Sequence, residues 1–276
     1  LNGGVSFITQ INGIAGLSYD VTATARNLGQ IDINSFDLTY NYNGNDITEN
    51  ITGLNLVSLD TYEHTFSTQL TPVLGNNDLT VTISNVNGVT VDDDPSDDSK
   101  SISIDPIVPA AGKAVVGEEA TGTWCQWCPR GAVYMDLFEA TYQDYWIGIA
   151  VHNGDPMTDA TYDAGMGSLI GGYPSAVVDR GPDVDPSGMT ADFLERLQTD
   201  PAAVLSNGAT WDPVTRVLEV SVKSTFSQNA SNSYKVACAL TEDGVTGTDG
   251  GYNQSNAYAG GGNGVMGGYE ALPNPV

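Results

Sequence analysis

Apolar and polar side chains alternate along most of the first 106 residues. From Leu17 the apolar set Leu17, Tyr19, Val21, Ala23 and Ala25 faces one way and Ser18, Asp20, Thr22, Thr24 and Arg26 the other, which predicts a half-buried strand. Phe36, Leu38, Tyr40 and Tyr42 repeat the pattern and end at Asn43-Gly44, a strong hairpin signal, with Ile47, Glu49 and Ile51 as the return strand. Further runs come at Tyr62, His64 and Phe66, at Leu79, Val81 and Ile83, and at Ile102 and Ile104. Pro106, Pro109 and Gly112 then mark a linker over residues 107–112.

From Lys113 the period changes. Residues 114–120 form a short apolar run, and Ala132, Val133, Met135, Leu137, Phe138 and Tyr142 recur at helical intervals. The near-continuous apolar run Trp146-Ile147-Gly148-Ile149-Ala150-Val151 predicts a strand covered on both faces. A second helical stretch follows Met157 and reaches Leu169-Ile170. Gly171-Gly172-Tyr173-Pro174-Ser175 then leads into a strand at 176–179, and a helix over 190–199 is anchored by Leu194 and Leu197. Past Pro201 alternation returns at Leu218, Val220 and Val222 and at Tyr234, Val236, Cys238 and Leu240, which predicts a β-rich module over 201–276 with Cys238 as an inert, buried thiol. Residues 243–268 are rich in Gly, Asn and Tyr and are expected to form a loop able to fold back over the dithiol.

These boundaries give a multidomain, mainly β chain with one α/β unit, divided at 1–106, 113–200 and 201–276. The strand interval in the first part reads as an immunoglobulin-like β-sandwich. Its segment from Asn27-Leu28-Gly29 to Tyr40 resembles the adhesion-type sandwiches of bacterial surface proteins. Nine basic residues against 34 acidic ones, a net charge of −25, leave no basic patch for nucleic acid or for an anionic lipid surface. Such self-repulsion is best screened in a salty or calcium-rich exterior, so an exported protein is expected. No apolar run is long enough to span a bilayer as a helix, and Leu1-Asn2-Gly3-Gly4 is no signal peptide, as if a leader had been removed. Asp92, Asp93, Asp94, Asp97 and Asp98 crowd one stretch, but without the glycine turn and terminal Glu of an EF-hand loop the favoured reading is a solvated hairpin tip. His64 has no second ligand at metal spacing and reads as an ordinary strand histidine.

The chemistry concentrates at Trp124-Cys125-Gln126-Trp127-Cys128-Pro129. A zinc site needs about four ligands, and the other candidates, Cys238, His64 and His152, are scattered, so no metal or other cofactor is expected. A thiol at a helix N-terminus faces unpaired N–H groups and the positive end of the helix dipole, which can bring a cysteine from a pKa of ~8.5 to roughly 3.5–7.5. Cys125, the first and more exposed, is assigned the attack on a partner disulfide, and Cys128 the resolution of the mixed disulfide.

The order strand, Cys-x-x-Cys, helix, strand, with Gly-Tyr-Pro-Ser before a later strand, resembles the thioredoxin-like fold. The resemblance implies a cis Pro174 beside the dithiol, with Trp124 in the same site. It also implies a buried acid at Glu119, six positions before Cys125, that moves the proton of Cys128. Glu118 and Glu119 lie on opposite strand faces, so one alone can point under the dithiol, and the spacing selects Glu119. Gln126-Trp127 between the cysteines departs from the Gly-Pro of thioredoxins, so their redox potential does not transfer. Three motifs in order are similar to the outer-membrane-protein-28-related family of exported bacterial proteins. They are Glu118 to Gly131, Val151-His152-Asn153-Gly154-Asp155-Pro156-Met157, and Gly172 to Ser175 with Val177-Val178-Asp179-Arg180. That resemblance implies export to the periplasm, outer membrane or cell surface, peripheral outer-membrane association, and a last His-containing strand beyond Asn274-Pro275-Val276. His152 and Asp155 either line the dithiol cleft or cap the loop. Two functions follow: thiol–disulfide exchange with protein thiols or disulfides, or a surface binding or adhesion protein in which Cys125 and Cys128 form a structural disulfide.

Overall fold

The structure, a computed structural model, describes residues 1–231 and 233–276, and the chain folds as two units, Leu1–Val108 and Pro109–Val276. In the first unit seven strands form: β1 (Gly3–Ile8), β2 (Thr22–Asn27), β3 (Ile33–Tyr42), β4 (Asn45–Leu56), β5 (Thr61–Thr65), β6 (Asn77–Ser84) and β7 (Ser99–Ile104). They pair antiparallel in two sheets, ordered β1-β2-β5 and β4-β3-β6-β7. Alternation decides the inward face: Ala23, Ala25, Phe36, Leu38, Leu79, Val81 and Ile83 are all buried. Rings bridge the sheets, Phe36 to Tyr62 at 6.1 Å and Tyr40 to Phe66 at 4.9 Å between centroids. Asn43 and Gly44 take the positive φ values, 52° and 77°, that their hairpin turn requires.

Strand β2 begins later than its pattern suggests. Tyr19 and Val21 are buried as alternation predicts, but Tyr19 exchanges backbone hydrogen bonds with Leu70 as an isolated bridge, and the ladder starts at Thr22. Asn27 is fully buried. It donates to the Leu56 and Ile31 carbonyls at 2.8 and 3.0 Å and accepts from the Gly29 N–H, fixing the turn after β2. In the acidic stretch Asp92 and Asp94 accept backbone N–H groups of Gly3, Asp94 and Ser96, so these carboxylates act as turn caps. His64 is held by Glu49 at 2.7 Å.

In the second unit the order is β8 (Val115–Thr121), α1 (Pro129–Tyr142), β9 (Trp146–His152), α2 (Ala160–Gly167), β10 (Ser175–Val178), β11 (Asp183–Val184) and α3 (Met189–Leu197). One sheet forms in the order β11-β10-β8-β9, with β9 parallel to β8 and the other neighbours antiparallel. A parallel pair needs a crossover, and α1 supplies it. Phe138, Tyr142, Trp146 and Phe193 pack as an aromatic cluster, with centroids 4.4 Å apart for Tyr142 and Phe193 and 4.7 Å for Phe138 and Trp146. Gly117 is required beneath it, because a Cβ there would overlap the Trp146 indole. A second cluster contains Ala120, Val151, Met166 and Val177, with Tyr162 and Tyr173 at its edge. In α3 the buried stripe is Met189, Phe193 and Leu197, whereas Leu194, expected as an anchor, is only half-buried. Spacing by four residues brings those three onto one face.

Beyond the sheet, β12 (Ala203–Asp212) and β13 (Val217–Phe226) form an antiparallel ribbon whose facing pairs include Trp211 with Leu218 and Ala209 with Val220. The expected third strand at 234–240 does not form, and Cys238, expected to be buried, is exposed. No sheet forms over that segment, so its alternating pattern has no covered side to turn Cys238 into. Asn232 lies outside the described residues. The last part of the chain contains three short 3-10 turns, at Gly250–Tyr252, Ala259–Gly261 and Tyr269–Ala271. Among the described residues no helix is long and apolar enough to cross a membrane.

Candidate functional site around Cys125 and Cys128

The register of the sheet builds the site at the C-terminal end of β8. Thr121 pairs with His152 on β9, and Ala120 with Ser175 on β10, so the segments after β8 and β9 and the one before β10 converge. Cys125 and Cys128 lie in the turn between β8 and α1 and are joined as a disulfide. The Cys125 N–H donates to the Gly122 carbonyl and the Cys128 N–H to the Cys125 carbonyl. Cys128 is the N-cap of α1 and Pro129 opens the helix, where a missing N–H costs nothing. Cys125, expected to be the open sulfur, is 5 % exposed, and Cys128 is 1 % exposed.

Glu118 and Glu119 are both buried and point to opposite faces. Glu119 lies against the first turn of α1, so close that a Cβ on Gly131 would overlap its Oε1. That oxygen has no hydrogen-bond partner among the described residues. Burial is the main cause that pushes the Glu119 carboxyl up to about 8. A Thr121 hydrogen bond opposes it, and the charge of Asp136 adds to it. The acid is therefore protonated at neutral pH. Glu118 turns the other way, pairs with Arg180 and accepts from the Tyr162 hydroxyl at 2.5 Å. Burial and this carboxylate raise the Tyr162 phenol to about 12. The pattern of the chain gave no signal that Arg180 would be the partner of Glu118.

The Tyr173–Pro174 peptide is cis. Tyr173 packs edge-on against Trp124, with centroids 5.3 Å apart, and the Trp124 indole N–H donates to the Asn153 carbonyl at 2.6 Å. Trp124 remains half-exposed. His152 and Asp155 are brought together here, with Nδ1 of His152 2.7 Å from Oδ2 of Asp155. The same Oδ2 accepts the Thr123 N–H at 3.0 Å and Oδ1 accepts the Met157 N–H at 2.9 Å. Asp155 thus ties the dithiol turn to the end of β9, and its carboxylate is buried by doing so.

Three further features complete the site. Arg130 forms an ion pair with Asp185 at 2.6 Å. The Asn153 amide donates to both carboxylate oxygens of Asp163, at 3.0 and 2.8 Å. Third, residues 254–258 lie along the dithiol turn itself: the Ser255 N–H donates to the Thr123 carbonyl at 2.7 Å and the Ala257 N–H to the Gln126 carbonyl at 2.8 Å. Tyr258 and Asn256 are buried there, and Trp127 meets the Tyr258 ring at 5.6 Å. Composition alone suggested that a Gly- and Tyr-rich stretch would fold back. Among the described residues no cluster of three or more His, Cys, Asp or Glu side chains is arranged to hold a metal.

No protein-family model matches this chain, and no curated protein matches it. Among solved structures, the CARDB domain of a Pyrococcus furiosus protein in complex with di-metal ions is similar at 17 % identity and a TM-score of 0.33, covering 39 % of this chain and 94 % of that one. A solution structure of the same domain gives 18 % identity and a TM-score of 0.32, covering 38 % and 94 %. A domain of a Methanosarcina acetivorans protein described as a cell-surface protein gives 18 % and 0.33, with coverage of 39 % and 94 %.

Proposed function

We infer that the second unit is a thioredoxin-like domain that exchanges thiols and disulfides with other proteins, carried by an exported protein of the periplasm, outer membrane or cell surface. Leu1–Val108 is read as its immunoglobulin-like sandwich. The observation that carries the reading is the Cys125–Cys128 disulfide at the N-terminus of α1, set above the buried, protonated Glu119. The sheet order β11-β10-β8-β9 and the packing of Tyr173 against Trp124 support it. In the exchange, a partner thiolate bonds to the Cys125 sulfur, the Cys125–Cys128 bond breaks, and its electron pair stays on Cys128, which takes up a proton. In this reading Glu119, protonated below about pH 8, gives up and recovers that proton.

The test is reduction of insulin by the full chain in the presence of dithiothreitol. Cys125→Ser should abolish any rate above the dithiothreitol background, and an unchanged rate would sink the assignment. A second reading is favoured by the exposures of 5 and 1 % at Cys125 and Cys128: a surface binding or adhesion protein in which the disulfide is structural. That reading requires a reduction potential below about −300 mV, and a measured potential near that of the redox-active dithiols excludes it.

A further inference from the structure

The dithiol turn has an acceptor edge, and the chain's own later residues fill it. The Thr123 carbonyl takes the Ser255 N–H, the Cys125 carbonyl takes Nε2 of Gln254 at 2.8 Å, and the Gln126 carbonyl takes the Ala257 N–H. Alongside, the Thr123 hydroxyl donates to the Gly251 carbonyl at 2.8 Å. Tyr258 anchors the end of this run, its ring against Trp127 and its hydroxyl accepting from Arg130 at 3.4 Å. Asn256, 1 % exposed, ties the run to the following turns by donating to the carbonyls of Tyr269 and Pro273 at 2.8 and 3.2 Å. Tyr269 in turn lies close enough to Glu119 and Asp136 for their charges, after burial, to raise its phenol. Residues 254–274 are thus one strap over both the disulfide and its buried acid.

Two properties of the strap distinguish it from core. It contains no strand and no α-helix, and Gly260, Gly261, Gly264, Gly267 and Gly268 all hold positive φ, so it is fastened by a few local bonds rather than by a ladder. Segments of that kind open at lower free energy than sheet cores. Between Asp249 and Glu270 it also carries no charged side chain.

We propose that the carbonyl edge of Thr123, Cys125 and Gln126 is a docking site for an extended, uncharged polypeptide segment with an aromatic anchor, and that the strap is its resident occupant. A partner of this chemistry displaces the strap, donates main-chain N–H groups at alternate residues as Ser255 and Ala257 do, and seats a ring against Trp127. Exchange at Cys125 proceeds only with the strap displaced. The inference rests on the thiol-exchange reading given above and adds its substrate class and its gate.

The experiment measures reduction of the oxidised full chain by dithiothreitol in a Cys238→Ser background, counting freed thiols by maleimide mass labelling. One dithiothreitol thiolate bonds to Cys125 and releases Cys128 as a thiol. The second thiol of the reagent then displaces Cys125, leaving two protein thiols and cyclic oxidised dithiothreitol. Gln254→Ala combined with Tyr258→Ala should speed this at least tenfold, and a capped Gln-Ser-Asn-Ala-Tyr peptide should slow the variant again where a scrambled peptide does not. A folded variant that is reduced at the wild-type rate overturns the gate, and a peptide without effect overturns the docking site. Should the variant not fold, amide exchange in the parent chain decides: Ser255 and Ala257 must open well before Glu119 and Ala120 of β8, and joint opening overturns the proposal. Accelerated chemical reduction without insulin activity would leave the gate standing and remove the exchange function.

Discussion

Replacing Glu119 by glutamine should remove a pH dependence that the buried acid imposes on the second unit. The carboxyl titrates at about 8 in the fold against 4.5 in the unfolded chain. Between those values the native state holds a proton that the unfolded state has released, so stability falls as pH rises through this window and levels off above pH 8. At 1.36 kcal/mol per unit, the full 3.5-unit difference amounts to about 5 kcal/mol. Water reaching the carboxylate on ionisation makes this a ceiling. Between pH 5.5 and 7.5 the wild type should lose about 2.5 kcal/mol relative to Glu119→Gln, from the same linkage. The glutamine amide brings its own cost of about 1–3 kcal/mol for an unsatisfied buried group, but this is constant with pH and cancels in the comparison. The assay is urea unfolding of both oxidised proteins at several pH values, followed by tryptophan fluorescence. Trp124, Trp127, Trp146 and Trp211 are the chain's four tryptophans and all belong to the second unit. A wild-type-minus-variant difference that stays flat across pH 5.5–7.5 would refute the claim that Glu119 is held protonated.

Two further changes test the packing that positions these groups. Gly131→Ala places a methyl on Oε1 of Glu119 and should cost about 1–3 kcal/mol as overpacking; the same alanine in a Glu119→Ala background should recover most of that loss, by urea unfolding. In the first unit, Asn27→Ala removes the donors to the buried carbonyl of Leu56 and to that of Ile31 and should destabilise that unit by about 1–3 kcal/mol, read as an earlier far-UV circular dichroism transition.

Much of this protein is legible in its sequence because alternation and hairpin chemistry are local. Phe36, Leu38 and Tyr40 need only the period of two to find the core side, and Asn43-Gly44 needs only its tolerance of positive φ to make the turn. The same locality explains why the alternating run at Tyr19 reaches beyond the paired strand: its side chains alternate, but whether a backbone joins a ladder depends on what lies beside it, and there the pairing is an isolated bridge to Leu70. At 234–240 alternation describes a strand for which no neighbouring strand is supplied, and Cys238 is left exposed.

At the site the division is similar. Two thiols three residues apart at the start of a helix, Glu118 and Glu119 on opposite strand faces, and a net charge of −25 that offers no basic surface to nucleic acid can all be read from the residues alone. The six-residue spacing to Cys125 pointed to Glu119 rather than Glu118, and the tertiary structure buries that acid under α1 where the helix approaches β8 at Gly131. It alone paired Glu118 with Arg180 and His152 with Asp155, since both pairs depend on where loops return to the sheet. Tertiary structure also settled the state of the dithiol. A helix N-terminus favours the thiolate and burial opposes it, and the turn is met by a segment more than a hundred residues away in sequence, whose Ser255 and Ala257 reach it through backbone hydrogen bonds that no side-chain pattern encodes.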